Sequence, residues 1–196
     1  LGVDDDVVHL LEYIPAETPS ETMVGWIKDH VGPHVRSHEQ KVELAGWAVF
    51  IASKIHDAAR ALALVQEVGM IASTQVQTER EKLKLSLCSP GELARQAAES
   101  GPRPHDHSLA ELERLRTDLE EVLHLSNVHN LQIDIDTFRS ASREEVLMDM
   151  VDRVTAPELV KKAVHDHLRP CAQRYGINAD EVLVKYIERV ALEIDS

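Results

Sequence analysis

Histidine is the residue type whose spacing first suggests chemistry in this chain, which contains eleven of them. His30, His34 and His38 are four residues apart, and on one continuous helix they would present three imidazole rings to a zinc ion. Gly32-Pro33 lies inside this run, and proline breaks helical register because it lacks a donor and clashes with the preceding turn. We therefore favour surface histidines over a metal site.

Three weaker ligand candidates share a two-residue spacing: His105-x-His107, His165-x-His167 and Asp134-x-Asp136. The first lies in a stretch rich in proline, and the second would face two sides of a helix. The third lacks the glycine and the remaining ligands of a calcium loop. We expect the two histidine pairs to be solvated, and the sequence predicts neither a metal nor a cofactor.

Motifs of known catalytic and nucleotide-binding classes are absent from the sequence. It contains no G-x-S-x-G, Walker A, G-x-G-x-x-G or H-E-x-x-H. Carboxylates occur beside lysine and arginine at helical spacing, the usual pattern of a solvated surface. We expect no catalytic residue and no enzymatic activity.

Composition narrows the class of protein. The 196 residues are 43% hydrophobic and 28% charged, which is typical of a globular chain. The net charge of −13 argues against nucleic acid and against an anionic membrane as partners, since both require clustered basic residues. No apolar run is long enough for membrane insertion.

Four bulky or reactive side chains could serve either packing or binding. Trp26 and Trp47 lie on the apolar stripes of predicted helices, so core positions are favoured over interface anchors. Cys88 and Cys171 resemble reduced fillers of an intracellular protein, and a disulfide between them is the alternative.

The elements that would position these residues are helices. Six short polar residues are each followed three positions later by glutamate, as in a capping box: Thr18, Ser89, Ser108, Ser142, Thr155 and Asn178. Apolar residues at helical spacing predict segments near 5–14, 18–31, 39–53, 55–71, 73–86, 90–99, 109–129, 143–154, 157–174 and 179–194. The two segments from 39 to 71 are the most apolar, so we expect them at the centre of the packing.

Several single residues mark the ends of these segments. Leu131–Ile135 alternates apolar and polar residues, and we expect an extended connector there. Pro170 should distort its helix, and Gly176 should end it in a left-handed conformation. Irregular spacing excludes a fixed-period repeat array. The prediction is all-α, an irregular α-solenoid segment of antiparallel helix pairs, with a compact bundle as the alternative.

The predicted organisation is a helical part at 1–99, a flexible loop at 100–107 and a second helical part at 108–196. The loop contains two prolines and a glycine. We expect these parts to form one continuous domain fragment of a larger protein.

Several sequence stretches resemble the Rod (rough deal) family of kinetochore-associated proteins. There, a leucine-rich helix leads through an extended apolar segment to an aspartate-x-phenylalanine. The similar stretches are Asp118–Phe138, Val151–Leu159, Val182–Val190, Ile14-Pro15 and Val24–Lys28 with Pro33. The resemblance covers about two thirds of the chain; residues 36–105 match only in helical character, and Gly101–His107 departs from the family pattern.

This resemblance implies a non-catalytic segment of an α-solenoid that follows a β-propeller in the Rod–Zwilch–Zeste-white (RZZ) complex. The implied role is in the spindle assembly checkpoint and in building the kinetochore corona. The implied partners are Zwilch and Zeste-white and, indirectly, Spindly, dynein–dynactin and the Mad checkpoint proteins. The implied location is the kinetochore and spindle in mitosis, and the cytoplasm otherwise. The alternative is a subunit of an endoplasmic-reticulum vesicle tether with the same architecture.

Overall fold

Most of the residues that the structure describes are helical. A computed structural model describes Leu11, Ile14 and residues 18–85, 106–153 and 162–194, with side chains described in 18–73, 107–153 and 162–192. Within these ranges there is no strand, and the predicted all-α fold is confirmed. None of the helices described there is both long and apolar enough to cross a lipid bilayer.

Eight α-helices follow one another along the described chain. The first, α1 (Ser20–Trp26), continues into a π-helical turn at Ile27–Val31 and a 3-10 turn at Gly32–His34. A second π-helical turn, Val164–Leu168, leads directly into α7. The other helices are α2 (His38–Ala52), α3 (Ala58–Leu85), α4 (Asp106–His129), α5 (Ile135–Ser140), α6 (Arg143–Asp152), α7 (Arg169–Tyr175) and α8 (Ala179–Ile194).

The chain divides into two compact units, Leu1–Glu121 and Val122–Ser196, and α4 contributes residues to both. In the first unit, α3 packs against both α1 and α2. The fully buried residues of α2 and α3 are aliphatic: Leu44, Ala45, Ala48, Ala61, Leu64, Val65 and Val68. The expectation that residues 39–71 lie at the centre of the packing is therefore confirmed for this unit.

The core of the second unit surrounds Phe138, whose side chain is 0% exposed. The Arg143 guanidinium lies 3.7 Å from the centre of the Phe138 ring and donates a hydrogen bond of 2.9 Å to the Phe138 carbonyl oxygen. These contacts connect α5 to the first turn of α6. Aliphatic and sulfur-containing residues complete the core: Leu125, Leu131, Val146, Leu147, Met150, Leu168, Cys171 and Val182.

Both π-helical turns lie just before a proline. Pro33 follows Ile27–Val31, and Pro170 follows Val164–Leu168, each within the first two residues of the next helical segment. Proline cannot donate to the carbonyl four residues earlier, and its ring crowds that carbonyl. The wider π turn relieves this conflict without ending the helical path. The predicted break at Gly32-Pro33 and the predicted distortion at Pro170 are both confirmed.

The predicted capping boxes have mixed outcomes. The Ser142 box is confirmed, since Glu145 N–H donates to Ser142 Oγ at 3.2 Å and Ser142 N–H donates to Glu145 Oε2 at 2.7 Å. Asn178 also caps its helix, accepting from Asp180 N–H at 3.1 Å. Ser89 and Thr155 lie outside the described residues.

Two predicted caps are wrong. Pro19 occupies the position before α1, so Thr18 lies one residue too early, and α1 has no side-chain cap. Ser108 lies inside α4, because that helix begins at Asp106. Helix α4 therefore includes Asp106 and His107, the last two residues of the predicted 100–107 loop. Residues 86–105 lie outside the described residues, and the predicted division into two helical parts and a loop stays a prediction.

Sequence reasoning missed three caps. Ser37 forms a full capping box with Gln40, where glutamine takes the place of the glutamate found in the predicted boxes. Asp57 accepts from the N–H groups of Ala59 and Arg60 at the start of α3. Asp134 caps α5, a helix that was not predicted.

Two helix assignments also differ from prediction. The predicted segments 55–71 and 73–86 are joined in the single helix α3, Ala58–Leu85. Ser73 lies inside this helix and donates its hydroxyl proton to the Gly69 carbonyl oxygen at 2.7 Å. The extended connector is confirmed at Leu131–Asp134, but Ile135 already begins α5. Gly176 has a φ of 68°, as predicted for a left-handed helix end. The predicted helix at 90–99 lies outside the described residues, as does the one at 5–14 except for Leu11 and Ile14.

We expect Phe138→Ala to lower the free energy of unfolding by about 3–5 kcal/mol, because it empties the centre of the second unit. Phe50, the other phenylalanine of the chain, is 56% exposed and provides the matched control. Phe50→Ala should change the free energy by less than about 0.5 kcal/mol. Urea denaturation followed by circular dichroism measures both values, and equal losses would contradict the assignment of Phe138 to the core.

We expect Asp134→Ala to destabilise the protein by about 0.5–2 kcal/mol at neutral pH, through loss of the α5 cap. Asp134 accepts from Thr137 N–H at 2.9 Å and from its hydroxyl at 2.7 Å, and these bonds lower the pKa of the carboxyl. A lowered pKa stabilises the folded state above the ordinary aspartate pKa, and this contribution is lost as pH falls through the folded-state pKa.

The difference in stability between wild type and Asp134→Ala should therefore shrink in acid. Asp134→Asn is the matched control, because asparagine keeps the cap and does not titrate. It should remain near wild type at neutral pH. A constant difference between wild type and Asp134→Ala across the acid range would show that the carboxylate does not supply the cap.

Candidate protein-binding surface

The three evenly spaced histidines do not share a helix face. His30 lies in the first π turn, His34 ends the 3-10 turn, and His38 begins α2 after an extended residue at Val35. His30 and His34 are exposed and His38 is half-buried. Within the part of the chain whose side chains are described, no three histidine, cysteine or acidic side chains are placed to hold a metal ion.

The ligand candidates at two-residue spacing do not form a site in the described part of the chain either. His105 is outside the described residues, and His107 is exposed near the start of α4. Asp134 is occupied by its cap, and Asp136 is exposed.

The His165-x-His167 pair faces two directions, as predicted. His165 is exposed, and its Nδ1 lies 3.0 Å from Asp166 Oδ1; this hydrogen bond lowers the pKa of the Asp166 carboxyl. His167 instead contacts His129, with 3.1 Å between the two Nδ1 atoms. His129 is 9% exposed, so this second histidine contact lies largely within the protein.

Sequence reasoning did not anticipate the grouping of His124, His129 and His167. Their rings meet edge to face, with centroids 5.4 Å apart for His124 and His129 and 5.3 Å for His129 and His167. The hydrogen bond between His129 and His167 requires one neutral ring that accepts the proton of the other. The arrangement connects the end of α4 to the second π turn, and a structural role accounts for each of its contacts.

The tryptophans and cysteines occupy intermediate or buried positions. Trp26 and Trp47 are both half-buried, so neither is a fully buried core residue and neither is a fully exposed interface anchor. Cys171 is 1% exposed, in agreement with the predicted packing role. Cys88 lies outside the described residues, and the state of this pair remains a prediction.

The clearest candidate for a binding surface is the exposed side of α8. Val182 on the opposite side is buried, and α8 packs there against α6 and α7. On the exposed side, Val184 is 55%, Ile187 63% and Leu192 72% exposed. The large exposed apolar side chains of the other described helices occur singly, at Phe50, Met70 and Val128. Helix α8 therefore has apolar residues both on the face that packs against α6 and α7 and on the exposed face.

The apolar residues of the exposed side form a continuous stripe. Val184, Ile187 and the exposed Ala191 follow one another at spacings of three and four residues, which places them along one line of the helix. We refer to these three residues as the α8 stripe. The exposed Leu192 lies about 100° around the helix from Ala191, four residues after Glu188, and so continues the acidic edge.

Charged residues beside the α8 stripe are unevenly neutralised. Lys185 forms an ion pair with Glu144 of α6, and Arg189 forms one with Asp152 of the same helix. The Glu144 contact raises the pKa of Lys185. Glu181 and Glu188, three residues before and four residues after Val184, border the stripe along one edge. Glu181 accepts a hydrogen bond of 3.2 Å from the Asn178 side-chain amide, and both carboxylates add to the attraction that raises the pKa of Lys185, although neither is within ion-pair distance of a described cation.

A shallow groove of 470 Å³ follows this acidic edge. It is lined by Val184 and by five polar residues, Asn178, Asp180, Glu181, Lys185 and Glu188. Exposed apolar side chains with a polar border are typical of surfaces that bind other proteins. The arrangement can bind a partner, and it presents no converging pair of acid and base groups.

Comparisons with known proteins identify two relatives, both named Kinetochore-associated protein 1. The mouse protein (Mus musculus) is 25% identical over 187 residues, which is 92% of this chain and 8% of the relative. The human protein (Homo sapiens) is 24% identical over 186 residues, which is 91% of this chain and 8% of the relative. No protein-family model matches the chain.

The chain thus spans less than a tenth of the length of these relatives. Kinetochore-associated protein 1 is the Rod homologue, so the comparison agrees with the resemblance noted in the sequence. So little of the chain lies outside the alignment that the similarity must include most of residues 36–105, where no motif was apparent. The chain is distantly similar to kinetochore-associated proteins along nearly its whole length.

Proposed function

We propose that this chain is a non-catalytic scaffold segment of a Rod-like kinetochore protein, stacked as part of an α-solenoid. The observation that carries this proposal is α8, whose apolar residues face both its packed side and its exposed side. A helix with two apolar faces is typical of an inner layer in a helical stack, where each layer is stabilised by both neighbours. The similarity to Kinetochore-associated protein 1 supports the kinetochore as the site of action.

The proposed role is to supply rigid contact surface within the RZZ complex during the spindle assembly checkpoint and the building of the corona. Zwilch and Zeste-white are the proposed direct partners. Spindly, dynein–dynactin and the Mad proteins would be recruited through the complex. The ion pairs of α6 with α8 support this role because they fix the orientation of the exposed stripe relative to the core of the second unit.

The core arrangement favours a scaffold over a site of turnover. Many of the polar groups that approach one another in the described part of the chain serve as helix caps, as ion pairs within or between helices, or in the histidine contact of α4. Each of these roles holds helices together. We infer that contact area spread over several helices, and not a reactive cleft, is what this chain provides.

A biotin ligase fused to the protein tests the proposed location and partners. We expect Zwilch and Zeste-white to be labelled in mitotic cells, and several-fold less strongly when the fusion carries Ile187→Glu, which places a charge in the α8 stripe. Val128→Glu is the matched control, because Val128 is an exposed aliphatic residue of α4 away from the stripe. Its labelling should equal that of wild type.

Mass spectrometry of the biotinylated proteins distinguishes the alternatives. Labelling dominated by vesicle-tethering subunits of the endoplasmic reticulum, in interphase and mitosis alike, would replace the kinetochore proposal with the tether. Equal loss of labelling in the Ile187→Glu and Val128→Glu variants would show that the α8 stripe has no special role.

A further inference from the structure

We propose that the α8 stripe packs against an amphipathic helix of the neighbouring layer of the stack, and that lysine or arginine residues border the apolar seam of that helix. This inference rests on the proposed scaffold function and adds the chemistry of the partner. Three features of α8 carry it: the spacing of the stripe, the uneven neutralisation of its charges and the groove along its acidic edge.

The spacing of the stripe fits a helix. Val184, Ile187 and Ala191 alternate steps of three and four residues, which is the seam spacing of two helices that pack side by side. Ala191 is small and allows a partner backbone to approach closely, while Ile187 and Val184 supply the apolar side chains that would interdigitate. A partner helix would cover all three residues along one line of contact.

The charged residues beside the stripe determine which sign of charge the partner helix should carry. The two cations of α8 are held by α6, Lys185 by Glu144 and Arg189 by Asp152. Glu181 and Glu188 lie one helical turn on either side of Val184, with no cation of the described residues in ion-pair contact. Two basic residues on the partner, about two helical turns apart, would each meet one of these carboxylates, whereas acidic residues there would be repelled.

The groove matches the shape of a long basic side chain. Val184 provides an apolar wall, and Asp180, Glu181 and Glu188 provide three carboxylates at the same groove. The one cation of the lining, Lys185, is paired with Glu144, so the groove stays acidic. Lysine and arginine have aliphatic stems that pack on apolar surface while their charged ends reach polar groups. The groove therefore complements the edge of the partner helix, as the stripe complements its seam.

A second copy of this chain is a poor occupant. The chain carries a net charge of −13, and pairing two copies through α8 would bring the Glu181–Glu188 edges into like-charge proximity. Such an edge disfavours self-association through the stripe and favours a partner of opposite charge.

Two synthetic helical peptides test the partner chemistry. Both carry the same leucine seam, and the positions that border the seam are lysine in one peptide and glutamate in the other. Fluorescence anisotropy measures their binding to the 196-residue chain. We expect the lysine peptide to bind roughly tenfold more tightly at low salt, as two exposed charge pairs would provide. The ratio should fall toward one at about 1 M salt, because screening weakens exposed pairs.

Charge-reversal variants locate the effect. Glu181→Lys/Glu188→Lys should reverse the preference, so that the glutamate peptide binds more tightly. Glu43→Lys/Glu120→Lys is the matched control, since it makes the same change in net charge at exposed positions on α2 and α4. It should retain the preference for lysine. Glu181→Gln/Glu188→Gln, which adds no repulsion with Lys185, should abolish the preference if the reversed variant fails to fold.

Substitutions in the stripe test the seam. Ile187→Glu should weaken binding of both peptides more than tenfold, and Val128→Glu should weaken neither. Equal binding of the two peptides, no binding of either, or a preference that follows the Glu43/Glu120 control would overturn the proposal. Sedimentation showing a dimer that Ile187→Glu dissociates would identify a second copy as the occupant and would overturn it as well.

The outcomes for the partner chemistry and for the proposed function are separable. Kinetochore labelling that depends on Ile187, together with equal peptide binding, would keep the scaffold function and reject the basic partner. A strong preference for the lysine peptide, together with labelling confined to proteins outside the kinetochore, would keep the surface and reject the kinetochore assignment.

Discussion

Burial of aliphatic side chains between neighbouring helices is the constraint on which this structure depends. With aromatic residues at 4% of the chain, few large side chains are available to fill a core. The interior is built instead from leucine, valine, isoleucine and alanine, which bury apolar area only when helices lie close together along their length. Phe138 is the exception, and its ring needs both surrounding aliphatic residues and the Arg143 guanidinium to be enclosed. The same need for neighbours explains why α8, with a second apolar face, suits a stack.

Apolar periodicity was sufficient to predict the long helices, because their stripes extend over several turns. Apolar periodicity did not predict the short or polar helices, because there a single side chain can determine where a helix begins. Helix α5 has only Ile135 and Phe138 as buried residues, and the Asp134 cap that starts it resembles a calcium ligand or a loop residue in the sequence. The polar half of α3 remains helical although its sequence is only weakly periodic, and Ser73, at the predicted boundary, bonds within its own helix. Neither effect has a periodic signature.

The candidate surface was harder to predict than the fold. From the sequence, Val184 and Ile187 look like core residues of an amphipathic helix, and only the packing of Val182 on the opposite side shows that they are exposed. The acidic edge was equally hidden, since Lys185 and Arg189 stand beside Glu181 and Glu188 in the sequence and would neutralise them. They are instead held by Glu144 and Asp152, more than thirty residues earlier. Long-range ion pairs therefore create the local charge of this surface.

The two π turns before Pro33 and Pro170 have a consequence for how the length of this chain can vary. A residue added or removed inside an ordinary helix rotates every later side chain by about 100° and turns its buried residues toward solvent. Within Ile27–Val31 or Val164–Leu168, loss of one residue would convert the π turn into an α turn and leave the following helix in phase with its neighbours. These turns are therefore positions where a one-residue deletion can be absorbed, so that Cys171 keeps its place in the core.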